Sequence, residues 1–452
     1  MYEKILILIC MFALLPIVLG VGTGNKKKKK KLLELKIMER GKEEGIVFGR
    51  LGKKKVVVSP SDREGHVAAF AGSGQGKTSA LGIESLRKFR GNVFVIDISG
   101  DISKNVEKKN KIVYKPENKE TIPYNIFYPI DILESVEEQN EALEQLCFRL
   151  MPENPNMSDA SIYFLNNGRK IFTAALIAFY HQGMDFIEIC RKVIGTDVVT
   201  LFEEIDKTKN ENAILYINGF IGTNEKNTSG CKQAVDDALK LFVTNASVKN
   251  AIRRPKEGEI SLNPTLIETE NIFIIISDEK LELYAPLLNI IVSQLMQYIS
   301  NRIVNNSSKF ILLFLDEFAS LRIDSDTILQ ALRKYRKKKC RIMLLSQSTA
   351  DLDLLYNHDT TRALLSNFRF KVLLGGLGDT DSQKFFAEMI GYKDAKKKSV
   401  SKSANSHSIT ESENREYIIE PAELDRMGNK LVLISPDGEG YMILEKNFYF
   451  KK

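Results

Sequence analysis

Residues 71–78 read AGSGQGKT, and this glycine-rich stretch carries more information about the fold than any other part of the chain. An apolar run at residues 67–70 precedes it and a helical pattern follows it, so the sequence predicts a strand, a loop and a helix in succession. Gly74 and Gly76 have no side chains to block backbone amides from turning inward around a phosphate. The stretch therefore predicts a loop that binds the phosphates of a nucleotide.

Individual residues of this loop have predicted roles in ATP chemistry. Lys77 is expected to reach the β- and γ-phosphate oxygens, and the Thr78 hydroxyl is expected to bind Mg²⁺. The helix that follows adds the positive end of its dipole. A glycine-rich turn that arises by chance is the alternative, and the flanking strand and helix disfavour it. The residues predicted to bind the nucleotide are Ala71, Gly72, Ser73, Gly74, Gln75, Gly76, Lys77, Thr78 and Ser79.

A second apolar run ends in an acidic pair. Residues 310–317 read FILLFLDE, and six apolar residues in succession are typical of a strand that is buried on both faces. Asp316 is expected to hold Mg²⁺ through the metal's water shell, and Glu317 to act as the general base on the attacking water. Taken alone, the pair could equally be the acidic start of a helix. Its presence in one chain with the phosphate loop favours a catalytic site.

The next apolar run, at residues 341–345, ends in Ser346-Gln347-Ser348. Gln347 is expected to sense the γ-phosphate from the strand beside the acidic one, although a strand-terminal turn is the alternative. The loop, the acidic pair and the glutamine on neighbouring strands predict a RecA-like core that hydrolyses ATP.

The order of apolar patterns divides the chain into an α/β body and a helical insertion. Residues 46–130 and 250–452 alternate strand and helix patterns and are interpreted as the two parts of a nucleotide-binding domain. Residues 131–249 carry apolar residues at three-to-four spacing and are interpreted as an all-α domain. The Ser- and Asn-rich residues 399–414 predict a solvated loop.

The N-terminal region predicts a membrane anchor. Residues 5–22 contain no charge and as a helix would extend about 27 Å, enough to cross a bilayer core with help from the flanks. Residues 23–45 form a basic juxtamembrane linker that includes six consecutive lysines at 26–31. These lysines place the following body in the cytoplasm, so we expect a single-pass protein of the plasma (inner) membrane. A cleaved signal peptide is the alternative.

Composition excludes several other classes. The chain has 452 residues and only five cysteines, too few for a disulfide scaffold. Its net charge of +7 is concentrated in the lysine run, so bulk charge does not indicate nucleic-acid binding. The four histidines are far apart, and no Cys/His spacing predicts a metal site. The fold predicted from the sequence is α/β, with a RecA-like P-loop NTPase core, an inserted all-α domain and one N-terminal transmembrane helix.

These motifs together resemble those of the type IV coupling proteins, the TraG/TraD family of conjugative ATPases. Besides the phosphate loop, residues 315–321 (LDEFASL), 346–348 (SQS) and 367–374 (NFRFKVLL) carry the resemblance. It covers nearly the whole chain from residue 46 onward. The chain departs from the family pattern at Ser99, which replaces a usual lysine within residues 97–101 (DISGD), and in showing one transmembrane segment where two are typical. Ala71, at a position usually occupied by glycine, is a tolerated variant.

The resemblance implies a protein that receives relaxase-bound single-stranded DNA and passes it to a type IV secretion channel. It also implies a homo-hexamer with ATP and Mg²⁺ bound between subunits, where a cation from the neighbouring subunit neutralises the developing phosphate charge. Arg333 and Arg336, in the LRKYRKKKCR stretch, are candidates for that role. An exposed basic helix face is the alternative for both. The same stretch could track DNA phosphates in a pore.

Two other functions remain open from the sequence. One is an FtsK/HerA-like DNA pump, although residues 427–450 leave little room for the winged-helix DNA reader typical of FtsK. The other is a receptor for protein cargo of a secretion system that uses ATP. Stimulation of hydrolysis by single-stranded DNA would separate DNA transport from protein transport.

Overall fold

The structure is a computed structural model that describes residues 34–153, 157–403, 406–437 and 439–451. The predicted transmembrane helix at residues 5–22 and the lysine run at 26–31 lie outside the described residues. Within the described part of the chain, no helix combines the length and the apolar character needed to span a bilayer.

Strands are numbered here in chain order. They are β1 Lys36–Glu39, β2 Ile46–Leu51, β3 Lys55–Ser59, β4 Val67–Phe70, β5 Asn92–Ile98, β6 Lys111–Tyr114, β7 Asn271–Ile276, β8 Ile311–Leu315, β9 Cys340–Ser346, β10 Phe370–Leu373, β11 Tyr392–Ser403, β12 Ser406–Tyr417, β13 Lys430–Ile434 and β14 Tyr441–Glu445.

The α-helices are numbered in the same way. They are α1 Ile83–Lys88, α2 Asp101–Asn105, α3 Tyr128–Asp131, α4 Val136–Leu150, α5 Asp159–Tyr180, α6 Phe186–Gly195, α7 Val198–Lys207, α8 Glu211–Asn218, α9 Glu225–Thr244, α10 Ala246–Ala251, α11 Leu281–Asn301, α12 Ser325–Lys334, α13 Thr349–Tyr356, α14 His358–Ser366, α15 Thr380–Ile390 and α16 Pro421–Asp425. A π-helical turn, Lys77–Gly82, leads into α1, and 3₁₀ turns occupy Pro264–Glu268, Asp278–Lys280, Phe318–Leu321 and Tyr335–Lys338.

Twelve of the described strands form one sheet, in the order β1-β3-β2-β14-β13-β10-β4-β9-β8-β5-β7-β6. The strands from β10 to β6 are all parallel, and those from β13 to β1 add an antiparallel extension. The protein is therefore mixed α/β with a large, mainly parallel sheet. Parallel strands bring their carboxyl ends to one edge, and that edge carries the site described below.

The central strands are buried on both faces, which explains their continuous apolar sequences. In β8, Ile311, Leu313 and Leu315 belong to one hydrophobic cluster, whereas Leu312 and Phe314 belong to the cluster on the opposite face. Alternate side chains of a strand point to opposite faces, so a strand covered on both sides needs an apolar residue at every position.

Residues 136–251 are helical, with α4 to α10 in succession. Polar side chains begin most of these helices. Asp185 and Glu188 form a reciprocal capping box at α6, and Asp197 caps α7 by accepting hydrogen bonds from the backbone N–H groups of Val199 and Thr200. The long helices α5 and α9 pack against each other, and Gly168 allows close approach to the Cys231 carbonyl. The predicted domain boundaries stay a prediction.

Two segments differ from the expectations. Strand β1 lies within residues 23–45, which were predicted to be a linker, and pairs antiparallel with β3 at the sheet edge. Residues 399–414 were predicted to be a loop, but β11 and β12 pair as a separate two-stranded ribbon. A ribbon is held by cross-strand backbone hydrogen bonds and needs no apolar face, so composition alone does not reveal it. At its base the Tyr392 and Tyr417 rings stack, with centroids 4.8 Å apart.

Candidate active site

The glycine-rich loop follows β4 at the carboxyl edge of the parallel strands. Gly74 and Gly76 have φ angles of +72° and +93°, a backbone conformation that side chains strongly disfavour. The Ala71 N–H donates to the carbonyl of Ser346 at the end of β9, 3.3 Å away. The loop then enters the Lys77–Gly82 turn directly, so the sequence prediction of a strand, a loop and a helix is confirmed.

Several backbone N–H groups of this loop have no hydrogen-bond acceptor among the described residues. The N–H groups of Gly74, Gly76 and Lys77 make no hydrogen bond to any described residue. The first N–H groups of a helix have no partner within the helix and favour a negatively charged ligand. A phosphate chain would supply the acceptors that these groups need.

The loop lysine meets the acidic pair across the sheet. Lys77 Nζ lies 3.0 Å from Glu317 Oε1, and the lysine side chain is only 8% exposed. Strand β9 lies between the two strands that carry these residues. Glu317 itself adopts a left-handed backbone conformation, with φ of +44°. Such a conformation is uncommon for a residue with a side chain and is often found at functional sites.

Asp316 is buried at the end of β8, and its pKa is raised to about 7. Burial is the main cause, the negative charge of Glu317 adds to it, and the Lys77 ammonium opposes it. A cation at this position would favour the ionised form of the Asp316 carboxyl group, which burial disfavours. The Thr78 hydroxyl at the start of the turn supplies a second oxygen, and oxygen donors are the ligands that Mg²⁺ prefers. These residues fit the magnesium site predicted from the sequence.

Asp97 is a third acidic residue of this edge, and sequence reasoning assigned it no role. It is the last residue but one of β5, beside β8, is fully buried and accepts hydrogen bonds from the N–H groups of Gly100, Ile102 and Ser103. Burial raises its pKa, while these hydrogen bonds oppose the shift. Its negative charge also helps to raise the pKa of Asp316. The apolar run that ends in this aspartate was the available signal.

Gln347 follows β9, which lies beside the acidic strand β8, as expected from the sequence, and also beside β4, which leads into the phosphate loop. Phe70 and Ser346 are register partners, so the residue after each strand sits at the same edge. The hydroxyl groups of the two flanking serines already have partners within the fold. The Ser346 hydroxyl donates to the Ser348 carbonyl, and the Ser348 hydroxyl caps α13. The Gln347 side chain is exposed and makes no hydrogen bond to a described residue. It is free to contact a ligand.

A second glycine-rich loop, residues 375–378 after β10, packs against the phosphate loop. The Gly72 N–H donates to the Gly375 carbonyl, 3.0 Å away, and a Cβ on Gly72 would come within 2.0 Å of the Gly376 carbonyl oxygen. A Cβ on Gly376 would in turn meet Gln75 at 2.8 Å. Sequence reasoning missed this contact, although the cluster of glycines after β10 was a signal for it.

The two candidate arginines lie elsewhere. Arg333 ends α12 and Arg336 occupies the turn that precedes β9, so both are at the amino ends of the parallel strands. Strand β9 separates this edge from the phosphate loop by roughly 20 Å. Both side chains are exposed, and Arg336 forms an ion pair with Glu64. Within one chain, the structure does not bring either arginine to Lys77.

The sequence profile of the family described as "Type IV secretory system Conjugative DNA transfer" matches residues 25–452. Among curated proteins, Protein VirD4 of Rhizobium rhizogenes is 21% identical over 401 residues, which are 85% of this chain and 58% of that protein. Protein VirD4 of Agrobacterium fabrum (strain C58 / ATCC 33970) is 22% identical over 387 residues, 82% of this chain and 56% of that protein. The chain thus spans less than two thirds of the length of these relatives.

Solved structures of a coupling protein have a similar fold. The bacterial conjugative coupling protein TrwBΔN70, in its unbound form, superposes with a TM-score of 0.70 at 17% identity and covers 96% of this chain and 97% of its own. TrwB in complex with the ATP analogue ADPNP has a TM-score of 0.70 at 18% identity, with 95% and 97% covered. These similarities confirm the predicted fold class for the described α/β body.

Proposed function

Because the chain belongs to the family of type IV secretory system conjugative DNA transfer proteins, we propose that it is an ATPase that drives DNA transfer. The observation that carries this proposal is the contact between Lys77 of the phosphate loop and Glu317 of the acidic strand. It brings a phosphate-binding cation and a candidate base to one point at the carboxyl edge of the sheet. Solved complexes of TrwB with ADPNP, and with ADP and Mg²⁺, support the same choice of ligands for this chain.

The nucleotide-binding residues are those of the phosphate loop, from Ala71 to Ser79. The unpartnered N–H groups of Gly74, Gly76 and Lys77 would bind the phosphates, and Thr78 and Asp316 would hold Mg²⁺. The bound cation supplies positive charge that stabilises the transferring phosphoryl group. It also favours the ionised form of Asp316, whose pKa is otherwise raised by burial.

Glu317 is the general base for the attacking water. Its carboxylate is paired with Lys77, so ATP phosphates compete with Glu317 for the same ammonium. Once Lys77 binds the phosphates, the carboxylate is released to accept a proton from water. Gln347, exposed at the end of the strand between them, is placed to contact the γ-phosphate. Binding of the triphosphate and exposure of the base are therefore coupled.

The assembly is proposed as a homo-hexamer with nucleotide at each subunit boundary. Arg333 and Arg336 are exposed and lie far from the phosphate loop of their own chain, so any contact with a nucleotide would be with that of a neighbouring subunit. There they would neutralise charge on the transferring phosphoryl group. The proposed cargo is relaxase-bound single-stranded DNA, passed to a type IV secretion channel. The proposed location is the plasma (inner) membrane, with one N-terminal anchor and the described body in the cytoplasm.

The test is the ATPase rate of the full chain in detergent, measured across protein concentration with and without single-stranded DNA. We expect the rate per subunit to rise with both, because the sites are completed by a neighbour and DNA orders the ring. Hydrolysis that ignores DNA but rises with a purified relaxase or secreted protein would favour the cargo-receptor function. Stimulation by double-stranded DNA alone would favour an FtsK/HerA-like pump. Absence of hydrolysis under all conditions would refute the ATPase.

A further inference from the structure

The residues that follow β14 return to the phosphate loop. This β14 extension, residues 446–451, makes two contacts there. The Tyr449 N–H donates to the carbonyl of Ser79, 3.1 Å away, and the Phe448 ring lies 3.0 Å from where a Cβ on Gly76 would stand. The Arg87 guanidinium also packs over the Tyr449 ring, 5.1 Å from its centroid. The extension thus covers the loop and the first turn after it.

The first residue of this extension carries a buried positive charge. Lys446 is 2% exposed, and its Nζ lies 3.4 Å from Gln75 Oε1 in the phosphate loop. The Gln75 side chain also lies close to Gly376, where an added Cβ would meet it at 2.8 Å. No carboxylate among the described residues pairs with Lys446, and burial lowers its pKa. A buried ammonium with one long hydrogen bond to an amide oxygen is poorly compensated and costs free energy of folding.

The charge balance of the site indicates what would compensate this ammonium. Lys77, the other buried lysine at the loop, is already paired with Glu317. The buried carboxylates Asp316 and Asp97 belong to the acidic edge of β8 and β5, and neither forms an ion pair with Lys446. A nucleotide's phosphate chain, cradled by the loop that Gln75 belongs to, would bring negative charge to the place where the ammonium lacks it.

We propose that Lys446 is a second cation of the nucleotide site, a positioning residue that holds the phosphate loop through Gln75 and strengthens the binding of the phosphate chain. The inference rests on the proposed nucleotide-binding function. The β14 extension is then part of the nucleotide site. Nucleotide binding and the position of the extension are linked through the contact between Lys446 and Gln75. Because the ammonium faces the loop and not the acidic pair, Lys446 acts on binding and not on the hydrolytic step.

The test compares Lys446→Met, Lys446→Arg and the control Lys430→Met in the full chain. Methionine keeps most of the side-chain volume and removes the charge, and Lys430 is an exposed lysine at the start of the neighbouring strand β13. ATP affinity by titration calorimetry, KM, kcat and Tm are measured for each. For Lys446→Met we expect about tenfold weaker ATP binding and a raised KM, which is the loss of one charge-assisted contact. We expect kcat and Tm to stay at or above wild-type values.

The controls separate a role in binding from one in folding. Lys446→Arg should restore most of the affinity because it keeps the charge, and Lys430→Met should behave like the wild type. Equal ATP affinity in Lys446→Met and wild type would overturn the inference while leaving the ATPase intact. A fall in Tm together with affinity that Lys446→Arg does not rescue would overturn it too, in favour of a structural role. If the wild type itself does not bind ATP, the proposed function fails and the inference fails with it.

Discussion

Lys77 Nζ and Glu317 Oε1 lie 3.0 Å apart although 240 residues separate them along the chain. The pair joins the phosphate loop to the acidic strand across β9, in a position where both side chains are mostly withdrawn from water. In the proposed mechanism, a triphosphate bound at the loop takes Lys77 from Glu317, so the pair would link nucleotide binding to the availability of the base.

Replacement of Lys77 by alanine should remove ATP binding and lower turnover by about 100-fold or more, because the charge that stabilises the β- and γ-phosphates is lost. Calorimetric titration with ATP and a steady-state ATPase assay measure both. An exposed lysine such as Lys430 provides the control substitution. Normal turnover in Lys77→Ala would refute the assignment of the phosphate loop.

Glu317→Gln should keep ATP binding and slow hydrolysis by about 100-fold or more, since glutamine cannot accept the proton from water. Removal of the charge also frees Lys77 for the phosphates, so ATP affinity should be equal to or higher than that of the wild type. Single-turnover hydrolysis and ATP titration separate the two effects. An ATP-dependent oligomer should accumulate and be visible by analytical ultracentrifugation. Unchanged single-turnover rates would exclude Glu317 as the base.

Gly72→Ala should disturb the phosphate loop, because its Cβ would come within 2.0 Å of the Gly376 carbonyl oxygen. We expect a loss of about 1–3 kcal/mol in the free energy of unfolding, measured by denaturant titration, together with weaker ATP binding. The matched control is Gly219→Ala, where a Cβ meets nothing within 4 Å and the φ angle is −65°. If both substitutions leave stability and binding unchanged, the two glycine loops do not pack as described.

His66 should make the protein less stable as pH falls. The Ile342 N–H donates to Nδ1 and Nε2 contacts the Leu332 carbonyl, so the ring is neutral with its proton on Nε2. Burial and then the Arg341 charge lower its pKa from 6.5 to about 4. Between these values the unfolded chain binds more protons than the folded one, so stability is complete above pH 6.5 and declines toward pH 4.

The loss in the free energy of unfolding that is due to His66 is at most about 3 kcal/mol. Denaturant titrations of wild type and His66→Gln from pH 7 to pH 4 isolate it, because glutamine can make both hydrogen bonds but does not titrate. The stability difference between the two proteins should shrink or reverse in favour of His66→Gln as pH falls. A difference that stays constant with pH would show that the imidazole is not held neutral.

Arg333→Ala and Arg336→Ala should leave ATP binding intact, since both residues lie at the opposite edge of the sheet from the phosphate loop. At least one should lower the ATPase rate of the assembled protein, because it completes a neighbour's site. Mixing that variant with Lys77→Ala subunits should restore part of the rate, as each kind of subunit supplies what the other lacks. If neither arginine affects hydrolysis, both belong to an ordinary basic surface, and the Arg336–Glu64 pair contributes little to stability.

Much of the site could be predicted from local patterns. The spacing of glycines around Lys77 needs no knowledge of the rest of the chain, and the apolar run before Asp316 identifies a buried strand. Strand β1 is only four residues long and the β11–β12 ribbon is mostly polar, so neither has an apolar pattern that predicts a strand, and the pairing of both depends on backbone hydrogen bonds. Polar composition is equally typical of loops, so it does not separate a ribbon from a solvated segment.

By itself the sequence determined the α/β class, the phosphate loop and the acidic and glutamine strands, because each of these is encoded within about ten consecutive residues. Only the tertiary structure decided that β9 lies between β4 and β8, and so brings Lys77 to Glu317. It also placed Asp97 beside the acidic strand and Lys446 against Gln75. The order of strands in a sheet follows from how the faces pack, and no local pattern specifies which distant residues will share an edge.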